Sequence, residues 1–447
     1  MSNVDIGRFS KKVVQLFWDP PPRNEPSDGP IWLLGNKYDC SPQAPSSSRR
    51  QTSPSGTDAS SPPALSVSQS SETSTAPTDL SSVTEDPDLK EYDQVTQSES
   101  EPESDEDKGW PASFLDDFES RIWMTYRSNF APIPRSQDPK ANAAMSFAVR
   151  LRTLADKDGF TSDAGWGCMI RSGQAVLANA VFSVKLGREW RRGAKQDEER
   201  KLLSLFADDP SAPFSIHRFV EYGATACGKH PGEWFGPSAA SRSIKALANG
   251  YPDAGMKVYV TGDGSAVYED SFMRIAKSEN GQFTPTLILV GTRLGIDRVN
   301  PVYWEGLKAS LQMPQSIGIA GGRPSSSHYF VGTQGSYLFY LDPHYTRPAL
   351  PMHSSPSDYS DEDIASCHLR RLRRIHLDEM DPSMLIAFLI RDENDWRAWR
   401  AGVAQVQGKS IVHVTDMEPS VHGLGEVRAS AVDEVETFDD DEETDKE

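Results

Sequence analysis

Residues 41–108 decide how much of this 447-residue chain can fold. The stretch opens SPQAPSSSRRQTSPSG and closes SESEPESDEDK, with too few large apolar side chains to offset the conformational entropy of ordering it. It reads as a disordered Ser/Pro/acidic linker. Charge divides the chain in the same way. Residues 79–107 carry twelve Asp and Glu against one Lys, residues 428–447 carry ten against two basic residues, and together they account for the whole formal charge of -19. The remainder is formally neutral, so the acidity belongs to linker and tail, and no basic excess points to nucleic acid. Four parts follow: an N-terminal arm at 1–40, the linker at 41–108, a folded body at 109–416 and a disordered acidic tail at 417–447.

The four cysteines, Cys40, Cys168, Cys227 and Cys367, form no C-x-x-C pair. That argues against a disulfide framework or a zinc knuckle and fits reduced thiols. The opening MSNVDIGRFSKKVVQLFWDPPP lacks the apolar run of a signal peptide, and no segment reaches the length of a membrane span. The expected setting is cytoplasmic.

In the arm, apolar clusters around Trp18 and Trp32 flank a Pro-rich turn, the pattern of a segment that docks on the body. The body alternates helical and strand patterns, an α+β arrangement. FLDDFESRIWMTYRSNF has helical spacing at Phe114, Phe118, Ile122 and Tyr126. GWGCMIRSGQAVLANAVFSVKLG predicts a buried helix that starts near Cys168 and stops at Gly187. TPTLILVGTRLG, QSIGIAGG, SHYFVGTQ and SYLFYLDP read as mostly buried strands, with a hairpin between Phe330 and Tyr340 turning at Gln334 and Gly335. MLIAFLIRDENDWRAWR adds a strand and then a helix.

A thiol must ionise before it attacks, and a helix N-terminus favours the thiolate. Cys168 occupies such a place, with Gly165 and Gly167 leaving room for a substrate backbone and Trp166 able to shield the site from water. A small residue packing a helix end is the plain alternative. Two histidines offer a base. His328 begins the strand SSSHYFVG, with Asp342 near the end of the next strand. His344 stands two residues after Asp342 in LDPHYTRP, so in extended chain both side chains leave on one face. A carboxylate beside either imidazole would fix its tautomer, and the residues alone leave both histidines open.

The segments WMTYRSNFAPI, TSDAGWGCMIRSGQAVLANA, GEWFGPSAAS, MPQSIGIAGGRPSSSHYFVG, YLDPHYTRPAL and DPSMLIAFLIRDENDWRAW, in this order, resemble the autophagins, the autophagy-related cysteine proteases. FWDPPP and PIWLLGNKY of the arm match as well. The resemblance implies a papain-like fold: a central helix bearing the nucleophile, packed on an antiparallel sheet, with a small accessory subdomain. It makes Cys168 the nucleophile, His344 the base and Asp342 the group that orients His344, and it leaves His328 without the base role. Tyr126 matches the tyrosine that stabilises the oxyanion; its plain alternative is an amphipathic core tyrosine. Trp234 and the segment Gly321, Gly322, Arg323, Pro324 match the walls of a narrow substrate channel. The implied substrate is a small ubiquitin-like modifier of autophagy, trimmed after its C-terminal glycine and later released from phosphatidylethanolamine, with transient contact at autophagosomal membranes. Acyl transfer through a thioester needs no metal or cofactor.

Several features stand outside that match. Residues 131–160 are an extra stretch relative to compact relatives, long enough to alter how the site is covered. Tyr92–Val95 (YDQV), beside a run of acids, reads first as part of a plain solvated acid run, with the spacing of a strand that adds to a modifier's sheet edge as the alternative; ETFDDD around Phe438 is a weaker version. Arg370, Arg371, Arg373 and Arg374 read as a solvated basic face, with contact to anionic lipid or the acidic tails as the alternative. Ser98, Ser100 and Ser104 sit among acids as phosphorylation candidates without an assigned role.

Overall fold

The structure, a computed structural model, describes residues 22–39, 106–152, 159–262, 264–323 and 326–419. Trp18, Tyr92–Val95, the three linker serines and Phe438 lie outside the described residues. Its strands in chain order are β1 (Ile31–Leu33), β2 (Asn36–Tyr38), β3 (Arg127–Ile133), β4 (Phe160–Ser162), β5 (Lys257–Val260), β6 (Ala266–Tyr268) and β7 (Thr286–Arg293). They continue with β8 (Ser316–Arg323), β9 (Ser326–Gln334), β10 (Tyr337–Leu341), β11 (Arg347–Pro348), β12 (Arg373–His376), β13 (Ser383–Ile390) and β14 (His413–Thr415).

The main sheet runs in the order β12-β10-β9-β8-β13-β7-β5. Every neighbouring pair on this path is antiparallel except β5 and β7, which are parallel at one edge. The eight residues of β13, SMLIAFLI, are all buried: β7 and β8 flank the strand, and helices Pro237–Gly250 and Glu393–Ala404 pack on it. A strand so placed reads as a continuous apolar run rather than an alternating one. Helix Cys168–Lys185 packs on β8 and β9 and against helix Pro237–Gly250. Their approach is close at Gly173, where an added Cβ would lie 3.6 Å from Ala240. Gly187 has φ +90° just past the helix end, the left-handed conformation that closes a helix where the chain must turn.

The arm joins the sheet through β1, whose Trp32 and Leu33 pair with Thr333 and Gly332 of β9. A buried charge cluster fixes it from below. Asp117 binds Arg121 at 2.9 Å, Arg188 at 2.7 Å and Arg191 at 3.0 Å, and accepts a 2.7 Å hydrogen bond from Tyr38. Arg188 also donates to the Leu34 carbonyl at 3.0 Å. Removing the one carboxylate would strand the Arg121 and Arg188 cations in the interior, so this contact holds the arm by the cost of breaking it.

Three local expectations need correction. The helix opening the body covers only Ala112–Glu119, so Ile122 and Tyr126 do not extend its stripe. Asn179 of the Cys168 helix clamps Ile122, accepting from its N–H at 3.0 Å and donating to its carbonyl at 3.0 Å, which satisfies that backbone outside any helix. The hairpin between β9 and β10 turns at Gly335 and Ser336, since Gln334 still pairs with Tyr337. The stretch 131–160 is not a separate excursion at its ends: Ala131–Ile133 complete β3, and Ile133 pairs with Phe160 of β4.

Candidate active site

Cys168 is the first residue of its helix and is 1% exposed. The turn ahead of it is built by Asp163, whose carbonyl accepts the N–H groups of Trp166 at 3.2 Å and Gly167 at 2.8 Å. The Asp163 carboxylate then accepts from the Arg127 N–H at 2.7 Å and from Arg171 Nε at 2.8 Å. Arg171 in turn binds Asp208 at 2.8 Å. Gly167 has to be glycine for this reason: a Cβ there would lie 2.4 Å from Asp163 Oδ2. The room it provides is used by the protein's own carboxylate, not by a substrate backbone. Trp166 is buried, donates to the Ser162 carbonyl at 3.1 Å and packs edge-on against Phe160.

Asp342 follows directly on β10, and His344 comes round to it through a turn rather than along a strand face. Asp342 Oδ1 accepts both the His344 main-chain N–H at 3.0 Å and its Nδ1–H at 2.7 Å. That bond orients the ring, and the ring and the Cys168 thiol act on each other's protonation, the imidazole lowering the thiol and the thiol raising the imidazole. Ser326 Oγ lies 3.1 Å from His344 Nε2. Tyr126 sits in an extended segment held against the same turn: its N–H donates to the Pro343 carbonyl at 2.9 Å, and its own carbonyl accepts from Arg347 at 2.9 Å. Its ring meets the His344 ring edge-on at 5.3 Å, and its phenol helps to lower the Cys168 thiol.

These contacts set the protonation states. Burial opposes ionisation of Cys168, but the His344 hydrogen bond and charge, the Ser327 main-chain N–H and the Tyr126 hydroxyl outweigh it and lower the thiol below its usual range. Burial likewise opposes the His344 cation, yet its bonds to Asp342 and Cys168 push it up to about 10. Asp342 is held well below the carboxylate range, its burial outweighed by His344 and His328. Burial, with the charges of Cys168 and Asp163, keeps Tyr126 protonated and able to donate. These shifts favour a thiolate–imidazolium pair beside a phenol donor, an arrangement suited to attack on a carbonyl carbon and to stabilising the oxyanion that forms. With the sulfur so covered, an acyl group reaches it only when neighbouring groups move aside.

The structure thus brings Cys168, His344, Asp342 and Tyr126 together. His328 is near but differently engaged: its Nε2 lies 3.7 Å from Asp342 Oδ1, and its Nδ1 lies 3.0 Å from the Ser326 carbonyl. Among the described residues, His328, Asp342 and His344 form the one group with metal-ligand spacing, their ligand atoms within 4.8 Å of one another. Gly321 pairs with His328 and Gly322 with Ser327, so this end of the β8–β9 hairpin borders the site. A Cβ at Gly321 would lie 2.8 Å from Met384 Cβ, so packing against β13 already demands glycine there. Arg323 pairs with Ser326, Trp234 is half-buried against the core, and Pro324 lies outside the described residues.

Sequence reasoning missed Arg373. The arginine run is not one solvated face: Arg370 binds Asp116 at 2.9 Å and Glu119 at 3.0 Å, Arg374 binds Asp28 at 3.6 Å, and Arg373 lies 3.7 Å from Asp342 Oδ2. The signal was strand membership, since β12 pairs with β10 and places Arg373 opposite Tyr340, two residues before Asp342. Trp123 was missed too; its Nε1–H donates to the Asp342 carbonyl at 2.7 Å.

Residues 111–402 match the family model of the peptidase C54 catalytic domain. The chain is 60% identical to the "Probable cysteine protease atg4" of Sclerotinia sclerotiorum, covering 99% of this chain and 98% of the relative. It is 54% identical to the "Cysteine protease ATG4" of Pyricularia oryzae, over 98% of this chain and 97% of that one. With the "Cysteine protease 1" of Neurospora crassa the identity is 51% over 98% and 91%. The chain belongs to the peptidase C54 family of cysteine proteases, with the α+β, papain-like fold of that family.

Proposed function

We propose that this protease cleaves after the C-terminal glycine of an autophagy ubiquitin-like modifier, both maturing its precursor and releasing it from phosphatidylethanolamine. The observation that carries the chemistry is the chain of contacts from Cys168 through His344 to Asp342, with Tyr126 at the sulfur. The substrate rests on the matched motifs and on relatives whose names carry the autophagy designation.

In this reading His344 holds the Cys168 proton while the thiolate attacks the glycine carbonyl carbon. The tetrahedral oxyanion is met by the Tyr126 hydroxyl and the Cys168 main-chain N–H at the helix start. Collapse to the thioester expels the amine, which takes its proton from His344. Water, deprotonated by His344, then attacks the thioester and restores the thiol. Asp342 keeps the ring in one tautomer throughout. Trp234 and the Gly321–Pro324 segment act as channel walls admitting a glycine-bearing strand. Residues 1–40 serve as a docked arm on the protease body of 109–416, with 41–108 and 417–447 as linker and tail. The enzyme acts in the cytoplasm and touches membranes peripherally; no described helix is long and apolar enough to cross one.

The test supplies two substrates: a modifier extended past its terminal glycine, and the same modifier conjugated to phosphatidylethanolamine on liposomes. The wild-type chain should trim the first and release the second, and Cys168→Ala should do neither. Failure of the wild type on the extended modifier would refute the substrate assignment. Cleavage by Cys168→Ala at the wild-type rate would refute the nucleophile.

A further inference from the structure

We propose that His328, Asp342 and His344 form a zinc-binding site whose occupation switches the protease off. The inference goes beyond acyl transfer and concerns a ligand other than the substrate. It starts from the spacing of three donor side chains whose ligand atoms lie within 4.8 Å of one another, with His328 and Asp342 buried and His344 partly exposed. Two imidazoles and a carboxylate are the donor set that zinc takes at nitrogen and oxygen distances of about 2.0–2.2 Å, which puts neighbouring ligand atoms of a tetrahedron about 3.3 Å apart. His328 Nε2 and Asp342 Oδ1, at 3.7 Å, are already near that separation.

A second observation points to the same ligand. The Ser326 carbonyl can only accept, so His328 Nδ1, 3.0 Å away, carries its proton and donates it. Nε2 is then the ring atom turned toward Asp342. A metal-ligating histidine is oriented in this manner, one nitrogen donating to a backbone carbonyl and the other facing the ion. Hard oxygen-seeking cations such as magnesium would be poorly served by two imidazoles. The Arg373 guanidinium, 3.7 Å from the other Asp342 oxygen, opposes a dication and keeps the affinity from being high.

The binding step balances simply. Zinc takes the place of the proton shared by His344 Nδ1 and Asp342 Oδ1, which lie 2.7 Å apart, and that proton leaves to water. Nothing is oxidised or reduced. The imidazole so held can no longer be oriented by Asp342 for the Cys168 proton, so acyl transfer stops until a chelator removes the ion.

The experiment uses the full-length Cys168→Ala chain without substrate, so its outcome is independent of which acyl group the enzyme takes. Zinc is titrated against a chromogenic chelator, and cobalt absorption reports the ligand geometry. One zinc bound per chain is expected, with affinity weakened when His328→Gln is added by at least the roughly tenfold that losing a mere outer-shell partner of a metal ligand costs. Loss of all binding in Cys168→Ala would overturn the proposal, because the thiolate would then be the anchor. Unchanged affinity with His328→Gln would overturn it equally. Since a buried substitution can unfold the chain, zinc must also raise the melting temperature of Cys168→Ala alone; no rise overturns the proposal.

Discussion

Replacing Gly167 by alanine isolates the support beneath the nucleophile. The backbone there has φ -87°, open to any residue, so the effect comes from contact and not from strain. The added Cβ would lie 2.4 Å from Asp163 Oδ2 and 2.7 Å from Asp163 Cβ. Restoring ordinary van der Waals separation requires a shift of about 1 Å. Asp163 cannot give that distance freely, because its two oxygens hold the Arg127 N–H at 2.7 Å and Arg171 Nε at 2.8 Å. Overpacking alone costs about 1–3 kcal/mol, and separating the buried Asp163–Arg171 pair would bring the loss to about 3–5 kcal/mol. With a urea slope of about 3 kcal/mol/M, the lower range moves the unfolding midpoint down by about 0.3–1 M. Both Cys168 and Tyr126 adjoin this anchor, and a displacement of about 1 Å at a reacting centre lowers turnover about 10²-fold. Urea unfolding followed by tryptophan fluorescence, with steady-state cleavage, reads both effects. Gly250→Ala is the control, since a Cβ there meets nothing within 4 Å. If Gly167→Ala matched that control in midpoint and turnover, the account of the Asp163 support would be wrong.

Tyr126→Phe removes the hydroxyl at the sulfur and should lower kcat about 10²–10³-fold with little change in KM, the loss typical of one oxyanion donor; an unchanged kcat in a steady-state assay would return Tyr126 to a packing role. Arg373→Met should reduce kcat about fivefold, the effect of ~1 kcal/mol for an ion pair between the exposed and buried limits, with partial recovery in Arg373→Lys; equal activity of all three would sink its support of Asp342. His344 is raised in the folded state to about 10, so the stability it contributes is full below its unfolded value of about 6.5 and is lost as pH rises through about 10. Urea midpoints at pH 6, 8 and 10 should therefore fall toward the alkaline end in the wild type and less so in His344→Ala; parallel curves would contradict that sign.

The central strands were legible because burial on both faces writes itself as an unbroken apolar run, as in SMLIAFLI, and the Cys168 helix because small residues continue without interruption to Gly187. Tyr126 was not. Helical spacing assigned it to a stripe that tertiary bonds cut short, since nothing local to Ile122 announces that Asn179, 57 positions away, will capture its backbone. Asp342 and His344 were seen as neighbours, but the turn that joins them depends on a side-chain-to-backbone bond that competes with extended structure. Arg373 was hidden for a different reason: a run of four arginines looks uniform until the strand pairing separates them. Gly167 was visible as a residue that must be small, but its role was misassigned to a substrate backbone, because only the folded chain brings Asp163 against it.

The most direct test of the site is the pH dependence of Cys168 alkylation by iodoacetamide in wild type, His344→Ala and His328→Ala. If His344 holds the thiol ionised, the wild type reacts well below the ordinary thiol range. His344→Ala should then lose that low-pH reactivity and inflect at or above about 8.5, while His328→Ala retains an acid-shifted profile. A wild-type profile in His344→Ala, with the acid-shifted reactivity lost in His328→Ala, would contradict the account and make His328 the base.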